Sequence, residues 1–337
     1  MDKLFLQKRT PIWFMRQAGR YLPEYKRLRS TEKTFLDLCF NSDKAAKISL
    51  QPIERFDLDF IILFSDILVV PHALGQFVDF KENLGPVLEP INNKHDLDFK
   101  NLAKNLLILD PVFKTIKIIK KNNKEKNLIG FCGGPFTVLT YMIEGGTSES
   151  HQKVKTKIKK EKSELLEIIE ILVEFSSMYL IEQIKSGANI VKIFESWAGL
   201  LDNELYSDFI IKPNKKILEN IKMVFPDIPV ACFPRMSELK ILQFIENVDC
   251  DILSLDENFP EDLLEIAKEK SIVLQGNLNP NLLVEGGKKM EEIIKKILLR
   301  FKHNRHIFNL SHGILPQTPI LNVQKTIKLI RDFNEAR

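Results

Sequence analysis

Short apolar segments alternate with amphipathic segments along the whole chain, and this alternation limits the possible folds more than any other feature of the sequence. Eight segments are rich in β-branched and aromatic residues and are predicted to be strands. They are residues 11–15, 58–64, 128–132, 189–194, 228–233, 251–255, 271–275 and 306–310. Because these segments are apolar at nearly every position, we expect a parallel sheet that is buried on both faces.

Helical periodicity follows the predicted strands. Predicted helices cover residues 43–56, 102–120, 163–185, 203–224, 237–246, 260–270, 288–302 and 323–333. Eight strand-and-helix units favour an α/β fold of the (β/α)8 (TIM) barrel type over an open doubly wound sheet. No Ser/Gly linker divides the chain, and the longest irregular region, about 71–97, is too short for a second core. We therefore expect one domain, residues 1–337.

The charge balance argues against a nucleic-acid partner. The net charge is +4, and the lysine-rich stretches 117–126 and 153–162 are typical of solvated helix faces and a turn. They lack the interleaved aromatic residues of a groove that binds single strands. No Gly-x-Gly-x-x-Gly follows the first predicted strand, so neither a dinucleotide site nor a P-loop has support. The small positive charge mildly favours an anionic small-molecule ligand.

Cysteine usage and hydropathy predict a reduced, cytoplasmic setting. The four cysteines, Cys39, Cys132, Cys232 and Cys250, are far apart in the sequence and form no Cys-x-x-Cys pair. Residues 1–10 contain no apolar segment of signal-peptide length, and the longest apolar region, 58–70, is interrupted by polar residues. We expect neither secretion nor a membrane-spanning segment.

Polar and small residues follow six of the predicted strands directly. In a (β/α)8 barrel the carboxyl ends of the strands meet at one rim, where the active site lies. The residues at these ends are Arg16 and Arg20, Ser65-Asp66, Gly133-Gly134-Pro135, Glu195-Ser196, Pro234-Arg235, and Ser311-His312-Gly313. Because the strands of any barrel must end in some polar residues, this pattern locates a cleft without identifying its chemistry.

Two arginines and one aspartate are the sharpest candidates at this rim. Arg16 and Arg20 flank a Gln-Ala-Gly turn, and their planar guanidinium groups match the geometry of carboxylates. They could also be ordinary surface arginines at a helix start. Asp66 lies between two strongly apolar runs, so its carboxylate needs donors from the protein or from a ligand. The alternative is an aspartate that caps the following helix.

For three further candidate site residues, the sequence around each residue alone does not distinguish a functional role from a structural one. Tyr141 could be a binding-site residue or a core aromatic residue with its hydroxyl satisfied internally. Ser196 is unlike a serine nucleophile, because no Gly-x-Ser-x-Gly sequence surrounds it. A lone histidine such as His312 is usually structural. Its rim position and the following Gly313 favour a functional role.

Five segments resemble the signatures of the uroporphyrinogen decarboxylase family. They read PIWFMRQAGRYLPEY from Pro11, ILFSDILVVPHALG from Ile62, GFCGGPFTVLTYMIEGG from Gly130, IFESWAG from Ile193 and FNLSHGILP from Phe308. The resemblance extends from about residue 9 to residue 333. Three positions depart from the usual family pattern: Ser311 replaces a glycine, Asn279 replaces an aspartate, and the sequence after the sixth strand lacks a tryptophan.

The resemblance implies a role for each candidate. It makes Asp66 the receptor for the pyrrole N–H groups of a tetrapyrrole and assigns catalysis to Asp66, Arg16 and Arg20. Arg16, Arg20, Ser196 and His312 would hold substrate carboxylates, Tyr141 would lie near Asp66, and Arg29 would have a supporting role. The substrate-binding set that it implies is Arg16, Gln17, Ala18, Gly19, Arg20, Phe35, Asp66, Tyr141, Ser196 and His312.

The reaction implied by the resemblance is cofactor-independent and metal-independent. Uroporphyrinogen III would lose CO2 from its four acetate side chains, giving coproporphyrinogen III for haem or chlorophyll biosynthesis. The family is typically homodimeric. Two alternatives remain open: a cobalamin- or methanol-linked methyltransferase on the same barrel, and a catalytically silent tetrapyrrole-binding protein. Those methyltransferases use a zinc site with His-x-Cys, a motif that this sequence does not contain.

Overall fold

Parallel pairing of successive strands organises the structure, a computed structural model that describes residues 9–81 and 84–335. A curled sheet has the order β1-β4-β5-β6-β7-β8-β9, and each neighbouring pair is parallel. The strands are β1 (Phe60–Ile62), β2 (Val78–Lys81), β3 (Gly85–Leu88), β4 (Asn127–Gly133), β5 (Ile190–Glu195), β6 (Val230–Pro234), β7 (Ile252–Ser254), β8 (Val273–Leu278) and β9 (His306–Leu310). This arrangement confirms the predicted barrel-type α/β fold.

The first predicted strand, residues 11–15, closes the gap between β9 and β1 without forming a regular ladder. Ile12 makes a single parallel bridge to Phe308, whose N–H donates to the carbonyl of Pro11 at 2.8 Å. On the other side, the N–H of Asp59 donates to the carbonyl of Ile12 at 2.9 Å. Pro11 has no N–H, and the N–H of Ile12 donates to the Asp59 side chain at 2.7 Å. The ladder is therefore shorter here than the sequence predicts.

Helices connect the strands on the outside of the barrel. In the described part of the chain they are α1 (Pro23–Arg29), α2 (Phe35–Phe40), α3 (Ser42–Arg55), α4 (Val69–Ala73), α5 (Leu102–Leu106), α6 (Asp110–Asn122), α7 (Pro135–Glu144), α8 (Gln152–Lys185), α9 (Asn203–Tyr206), α10 (Lys212–Val224), α11 (Lys240–Asn247), α12 (Asp262–Glu269), α13 (Pro280–Glu285), α14 (Gly287–Arg300) and α15 (Ile320–Glu335). Single 3-10 turns occur at Lys94–Asp96, Leu107–Leu109 and Ala198–Leu200, and a π turn occurs at Ser207–Ile211.

All eight predicted helical regions contain helix, but their boundaries differ. The third begins at Gln152, eleven residues before the predicted start at 163, and the non-helical backbone of Glu161 kinks it. The predicted helix 203–224 is interrupted by the π turn. Short helices α1, α2, α4 and α13 are additional, because segments of five to seven residues carry too little periodicity to predict.

An antiparallel hairpin lies within residues 71–97, so the prediction of an irregular region is wrong there. Strands β2 and β3 pair from Val78 with Leu88 to Lys81 with Gly85. Each strand has only four residues, and glycine and proline in β3 mask its strand pattern. The hairpin contributes an aromatic residue, Phe80, to the wall of the cleft described below.

A polar network lies inside the barrel below the rim. The indole N–H of Trp13 donates to Gln275 at 3.0 Å, and the Gln275 amide donates to the hydroxyl of Ser254 at 2.7 Å. The same hydroxyl accepts from Lys192. The ammonium of Lys192 lies 5.1–5.5 Å from the ring centroids of Trp13, Phe194 and Phe233, and burial lowers its pKa to about 7. We call Trp13, Lys192, Ser254 and Gln275 the interior network.

All four cysteines are buried and free. Among the described helices, none combines the length and the apolar character needed to cross a bilayer. The prediction that no signal peptide is present concerned residues 1–10, and residues 1–8 lie outside the described residues.

Candidate active site

Arg16 is held in a strained backbone conformation at the rim. Its φ of 62° is in the left-handed region, which costs a non-glycine residue about 1–2 kcal/mol. The preceding residue, Met15, is fixed by two hydrogen bonds. Its N–H donates to the side chain of Asn309 at 2.9 Å, and its carbonyl accepts from the N–H of Ile314 at 2.8 Å. A Cβ atom on Gly313 would lie only 2.3 Å from Cδ of Arg16. Gly313 therefore leaves room for this arginine, which is exposed.

The turn after Arg16 has a scaffold role and an exposed end. Gln17 is fully buried, and its amide accepts from the N–H of Phe14 and donates to the carbonyl of Phe60, both at 3.0 Å. Its side chain thus joins two neighbouring strands. Ala18 packs partly against the core, and a Cβ atom on Gly19 would lie 3.1 Å from the carbonyl oxygen of Arg16. The second arginine of the pair, Arg20, is exposed.

Asp66 lies between two apolar runs, directly before α4. Oδ1 accepts from the N–H of Leu68 at 2.9 Å, and the N–H of Ile67 also acts on the carboxylate. The Leu68 contact precedes the helix start without forming a side-chain cap. Burial raises the pKa of Asp66 from its usual value, while these two N–H groups and the charge of Arg16 oppose that rise. No side chain among the described residues donates a hydrogen bond to this carboxylate, so it can accept from a ligand.

Tyr141 and Arg16 come close enough to Asp66 for their charges to interact. Burial is the main cause that raises the pKa of Tyr141, and the Asp66 carboxylate adds to it. Although Arg16 is exposed, nearby protein atoms partly desolvate its guanidinium group and lower its pKa, and the charge of Asp66 counteracts this effect. The Tyr141 ring lies 6.2 Å from that of Trp197, which follows Ser196. Residues from the first segment, the β1 end and α7 thus converge.

Ser196 is partly buried at the end of β5, directly after a carboxylate that serves the scaffold. Glu195 is fully buried and accepts from the N–H of Thr137 at 2.7 Å and from its hydroxyl, with Asn214 at 3.4 Å. A Cβ atom on Gly134 would lie 2.2 Å from Glu195 Oε2. Burial raises the pKa of Glu195 to about 7. Glu195 caps the N-terminus of α7 and so helps to position Tyr141.

His312 is a neutral imidazole in this cleft. Burial, assisted by the charges of Arg16 and Arg235, lowers the pKa of His312 to about 3. Its Nδ1 atom is buried and has no hydrogen-bond partner among the described residues. A ligand can supply that partner, so His312 fits a hydrogen-bonding role better than that of a cation.

Phe35 forms part of an aromatic wall, and Arg29 lies behind it. The Phe35 ring is 5.7 Å from that of Phe64 and 4.8 Å from that of Phe80. Arg29 donates to the carbonyl of Glu32 at 2.9 Å, and its charge acts on Tyr25. The position of Arg29 fits a supporting role rather than a direct contact with the cleft.

Arg235 is a further cleft residue that the candidate set omitted. It follows β6, and its charge lowers the pKa values of both Arg16 and His312. Its Nε atom lies 3.8 Å from Asp256 Oδ1. The strand end identified the position, but a single arginine after a strand carries no signal for where its guanidinium group lies.

The three departures from the family pattern meet in one rim contact. Glu257 follows β7, in the segment that lacks the family's tryptophan, and its carboxylate accepts from Asn279 at 2.8 Å and from Ser311 at 3.3 Å. An aspartate at position 279 would place two carboxylates together, whereas the amide can donate. The loops after β7, β8 and β9 are therefore joined locally, next to His312.

Sequence comparisons identify one family over nearly the whole chain. The model of the family described as "Uroporphyrinogen decarboxylase (URO-D)" matches residues 6–333. The uroporphyrinogen decarboxylase of Rickettsia bellii (strain RML369-C) is 46% identical over 332 residues, covering 97% of this chain and 96% of that protein. That of Orientia tsutsugamushi (strain Ikeda) is 45% identical over 332 residues, covering 97% of this chain and 95% of that protein.

Comparison with solved structures supports the fold alone. A methyltransferase from Methanosarcina mazei superposes with a TM-score of 0.77 at 18% identity, covering 96% of this chain and 94% of that one. A B12-independent methionine synthase from Shewanella sp. W3-18-1 has a TM-score of 0.55 at 13% identity, with 89% of each chain covered. At such low identity these likenesses establish the architecture and leave the chemistry to the site.

Proposed function

The chain belongs to the uroporphyrinogen decarboxylase family, and we propose that its rim cleft removes the four acetate carboxylates of uroporphyrinogen III. The enzyme is a carboxy-lyase, and its products are coproporphyrinogen III and CO2. The observation that carries the assignment of the site is the arrangement around Asp66. This carboxylate lies between apolar segments, close to Arg16 and Tyr141, and no side chain among the described residues donates a hydrogen bond to it.

The charges at the rim suit a ligand with many carboxylates. Uroporphyrinogen carries eight carboxylates on the outside of its ring and four pyrrole N–H groups on the inside. Arg16 and Arg20 offer planar donors for the peripheral carboxylates, and Ser196 and the neutral His312 add hydrogen bonds. Asp66 accepts from the inner N–H groups. The aromatic side chains of Phe35 and Tyr141 cover the apolar faces of the ring.

The chemistry requires an electron sink in the substrate. A proton adds to the pyrrole carbon next to the one that bears the acetate, which gives a cationic, azafulvene-like ring. The bond to the carboxylate then breaks, CO2 leaves, and its electron pair enters the ring system. Protonation of the exocyclic carbon gives the methyl group, and loss of the added ring proton restores the pyrrole. Each cycle exchanges one CO2 for one proton.

Asp66 stabilises this cation electrostatically. A fixed negative charge close to the pyrrole nitrogen lowers the energy of the cationic ring more than that of the neutral ring. The apolar surroundings make the effect larger than it would be in water. They also raise the pKa of Asp66, so the cation and the N–H groups must favour the ionised form when substrate is bound.

The test is anaerobic incubation of the purified protein with enzymatically prepared uroporphyrinogen III, without added metal or cofactor. The products are then oxidised, and their carboxylates are counted by chromatography. We expect stepwise loss from eight carboxylates to four. Binding without loss would instead indicate a silent tetrapyrrole-binding protein, and the absence of both would remove the assignment of this cleft.

Three properties of the whole protein are part of the same proposal. It acts in the cytoplasm, it is a homodimer, and its 337 residues form one domain. The free, buried cysteines support a reducing compartment. Light scattering after size-exclusion chromatography tests the dimer, and a single coincident unfolding transition by two probes tests the single domain. Fractionation of cells tests the location.

A further inference from the structure

The position of Arg235 places a third guanidinium group opposite the Arg16 and Arg20 pair. In the closed order of first segment, β1, β4, β5, β6, β7, β8 and β9, the first segment and β6 are four places apart. They therefore lie on opposite sides of an eight-membered barrel. Arg235 follows β6 directly, so Arg16 and Arg235 enter the cleft from opposite sides.

The backbone of Arg235 is firmly fixed. Its N–H donates to the carbonyl of Glu195 at 3.1 Å, and its carbonyl accepts from the N–H of Gly199 at 3.1 Å. The first contact joins it to the end of β5, and the second joins it to the 3-10 turn that follows Trp197. Arg235 is consequently held to the same segment that carries Ser196.

The side chain of Arg235 is attracted to one carboxylate but is not satisfied by it. About a quarter of it, 24%, is exposed, and Nε is buried without a hydrogen-bond partner among the described residues. Asp256 Oδ1 lies 3.8 Å from Nε, which is close enough for charge attraction but too long for a hydrogen bond. Asp256 is itself fixed, since Oδ2 accepts from the N–H of Met236 at 2.6 Å.

The charges of Arg16 and Arg235 lack a shared anionic partner. The charge of Arg235 acts unfavourably on Arg16, and both guanidinium groups act on the buried His312. The charge of Asp66 acts on Arg16 and that of Asp256 interacts with Arg235, but no carboxylate among the described residues forms an ion pair with both guanidinium groups. Like charges that converge in a cleft are stabilised when an anionic ligand enters between them.

We propose that Arg235 binds a peripheral carboxylate of the substrate on the side of the ring opposite to Arg16, and that Asp256 positions it. This inference rests on the proposed function, because it concerns the same cleft and the same polycarboxylate. Asp256 holds the Nε side of the guanidinium group, and the remaining N–H groups bind the carboxylate. Arg235 thereby fixes the orientation of the ring over Asp66 and contributes to specificity for ligands that carry carboxylates all around their edge.

The test compares Arg235→Gln and Arg235→Lys with wild type. Because the contact is made in both the ground state and the transition state, Arg235→Gln should raise KM about tenfold or more and leave kcat within about threefold. The KM of Arg235→Lys should lie between those of wild type and Arg235→Gln, since an ammonium group keeps the charge but lacks the planar geometry of a guanidinium group. Arg300→Gln is the matched control: it also removes a guanidinium paired with a carboxylate, that of Glu261, but at the end of α14.

Direct binding separates this inference from the proposed function. Uroporphyrinogen III is equilibrated anaerobically with Asp66→Asn and with Asp66→Asn/Arg235→Gln, and bound ligand is counted after ultrafiltration and oxidation. A tenfold weaker Kd in the double variant supports the contact even if wild type shows no turnover. Unchanged Kd and KM would overturn it, including when the midpoint of thermal unfolding falls, because Arg235 would then be purely structural. A fall in kcat at unchanged KM would also overturn it.

Discussion

The interior of the barrel and the cleft at its rim both contain buried ionisable groups, but they satisfy them in opposite ways. Inside, Lys192 donates to Ser254, which also accepts from Gln275, and three aromatic rings surround the ammonium. At the rim, Nδ1 of His312 and Nε of Arg235 are buried and lack hydrogen-bond partners in the described part of the chain. The interior network is complete without a ligand and supports the fold, whereas the open partners at the rim support our proposal that a ligand binds there. Buried atoms without partners also occur elsewhere, as in the ring of His151, so the proposal needs the convergence of several such groups.

Two carboxylates at the rim make the same contrast. Glu195 is fully buried, and both of its oxygens accept from Thr137 or Asn214, which include two side chains. Asp66 is only partly buried, and its described donors are the backbone N–H groups of Leu68 and Ile67. Both pKa values are raised by burial. Burial alone therefore does not distinguish the carboxylate that we propose for catalysis from the structural one, whereas the presence of side-chain donors does.

Replacement of Asp66 by asparagine is the strongest test of this contrast. Asp66→Asn keeps the size of the side chain and removes its charge, so we expect kcat to fall about 100- to 1000-fold, as when one preorganised group is lost. KM and the midpoint of thermal unfolding should change little. The anaerobic decarboxylation assay measures the rate. Asp227→Asn, at an exposed aspartate, is the matched control. Turnover of Asp66→Asn within a few-fold of wild type would remove Asp66 from the mechanism.

Glu195→Gln should affect stability in a way that depends on pH. The pKa of Glu195 is about 7 in the folded protein and near 4.5 when unfolded, so the folded state binds the extra proton between these values. Wild-type stability should therefore fall as pH rises from about 4.5 to 7, by up to about 3 kcal/mol from this group. The variant lacks this dependence. Its deficit in unfolding free energy should be largest at pH 5 and should shrink by pH 8.

Denaturant unfolding of wild type and Glu195→Gln at several pH values measures this change. A difference in unfolding free energy that stays constant from pH 5 to pH 8 would show that Glu195 does not titrate in this range. It would also weaken the distinction between the two carboxylates, because Glu195 would then be a permanently charged group of the rim.

Lys192 should make stability depend on pH in the direction opposite to that of Glu195, and Lys192→Met tests this. Burial lowers the pKa of Lys192 from 10.5 to about 7, so between these values the unfolded chain binds a proton that the folded protein does not. Wild-type stability should rise with pH in this window, by about 2 kcal/mol between pH 7 and pH 9. The variant has no titrating group at position 192. Its unfolding free energy should therefore exceed that of wild type by the largest amount at pH 7 and below.

The same unfolding experiments test Lys192→Met, with kcat as the second readout. Since the proposed mechanism gives the interior network no role, kcat should stay within about threefold of wild type. A large loss of kcat with unchanged stability would instead assign the interior network to the active site, and the division between interior and rim would fail.

The general fold could be predicted, as could the rim at which the candidate residues lie, because both depend on simple patterns. Buried parallel strands need apolar residues at nearly every position, and active-site residues follow the strands of such a barrel. What the pattern could not show is how each polar side chain is satisfied. Glu195 and Arg235 follow neighbouring strands with equal prominence in the sequence, yet Glu195 is internally bonded and Arg235 is not.

Backbone geometry was also beyond the sequence. Nothing in the sequence around Arg16 indicates its positive φ, which occurs next to Met15, whose backbone is bonded to Asn309 and Ile314 far away in the chain. The hairpin of β2 and β3 was missed because strands of four residues with glycine and proline give almost no periodic signal. Predictions from sequence therefore fail where long-range contacts, rather than local pattern, determine the conformation.

Gly313→Ala is the finest test of the contrast, because it alters the cleft without removing a polar group. The added Cβ atom would lie 2.3 Å from Cδ of Arg16, so the arginine must move away from its ligand-free position. We expect kcat/KM to fall about tenfold, equivalent to about 1.4 kcal/mol, mainly through KM, since a displaced guanidinium binds its carboxylate less well. Gly287→Ala is the control: its Cβ meets no atom within 4 Å, but its φ of 72° makes alanine strained. Gly287→Ala should lower stability without changing kcat/KM, whereas Gly313→Ala should lower kcat/KM with little change in stability. If both variants lost only stability, Gly313 would belong to the fold and the position of Arg16 would not depend on it.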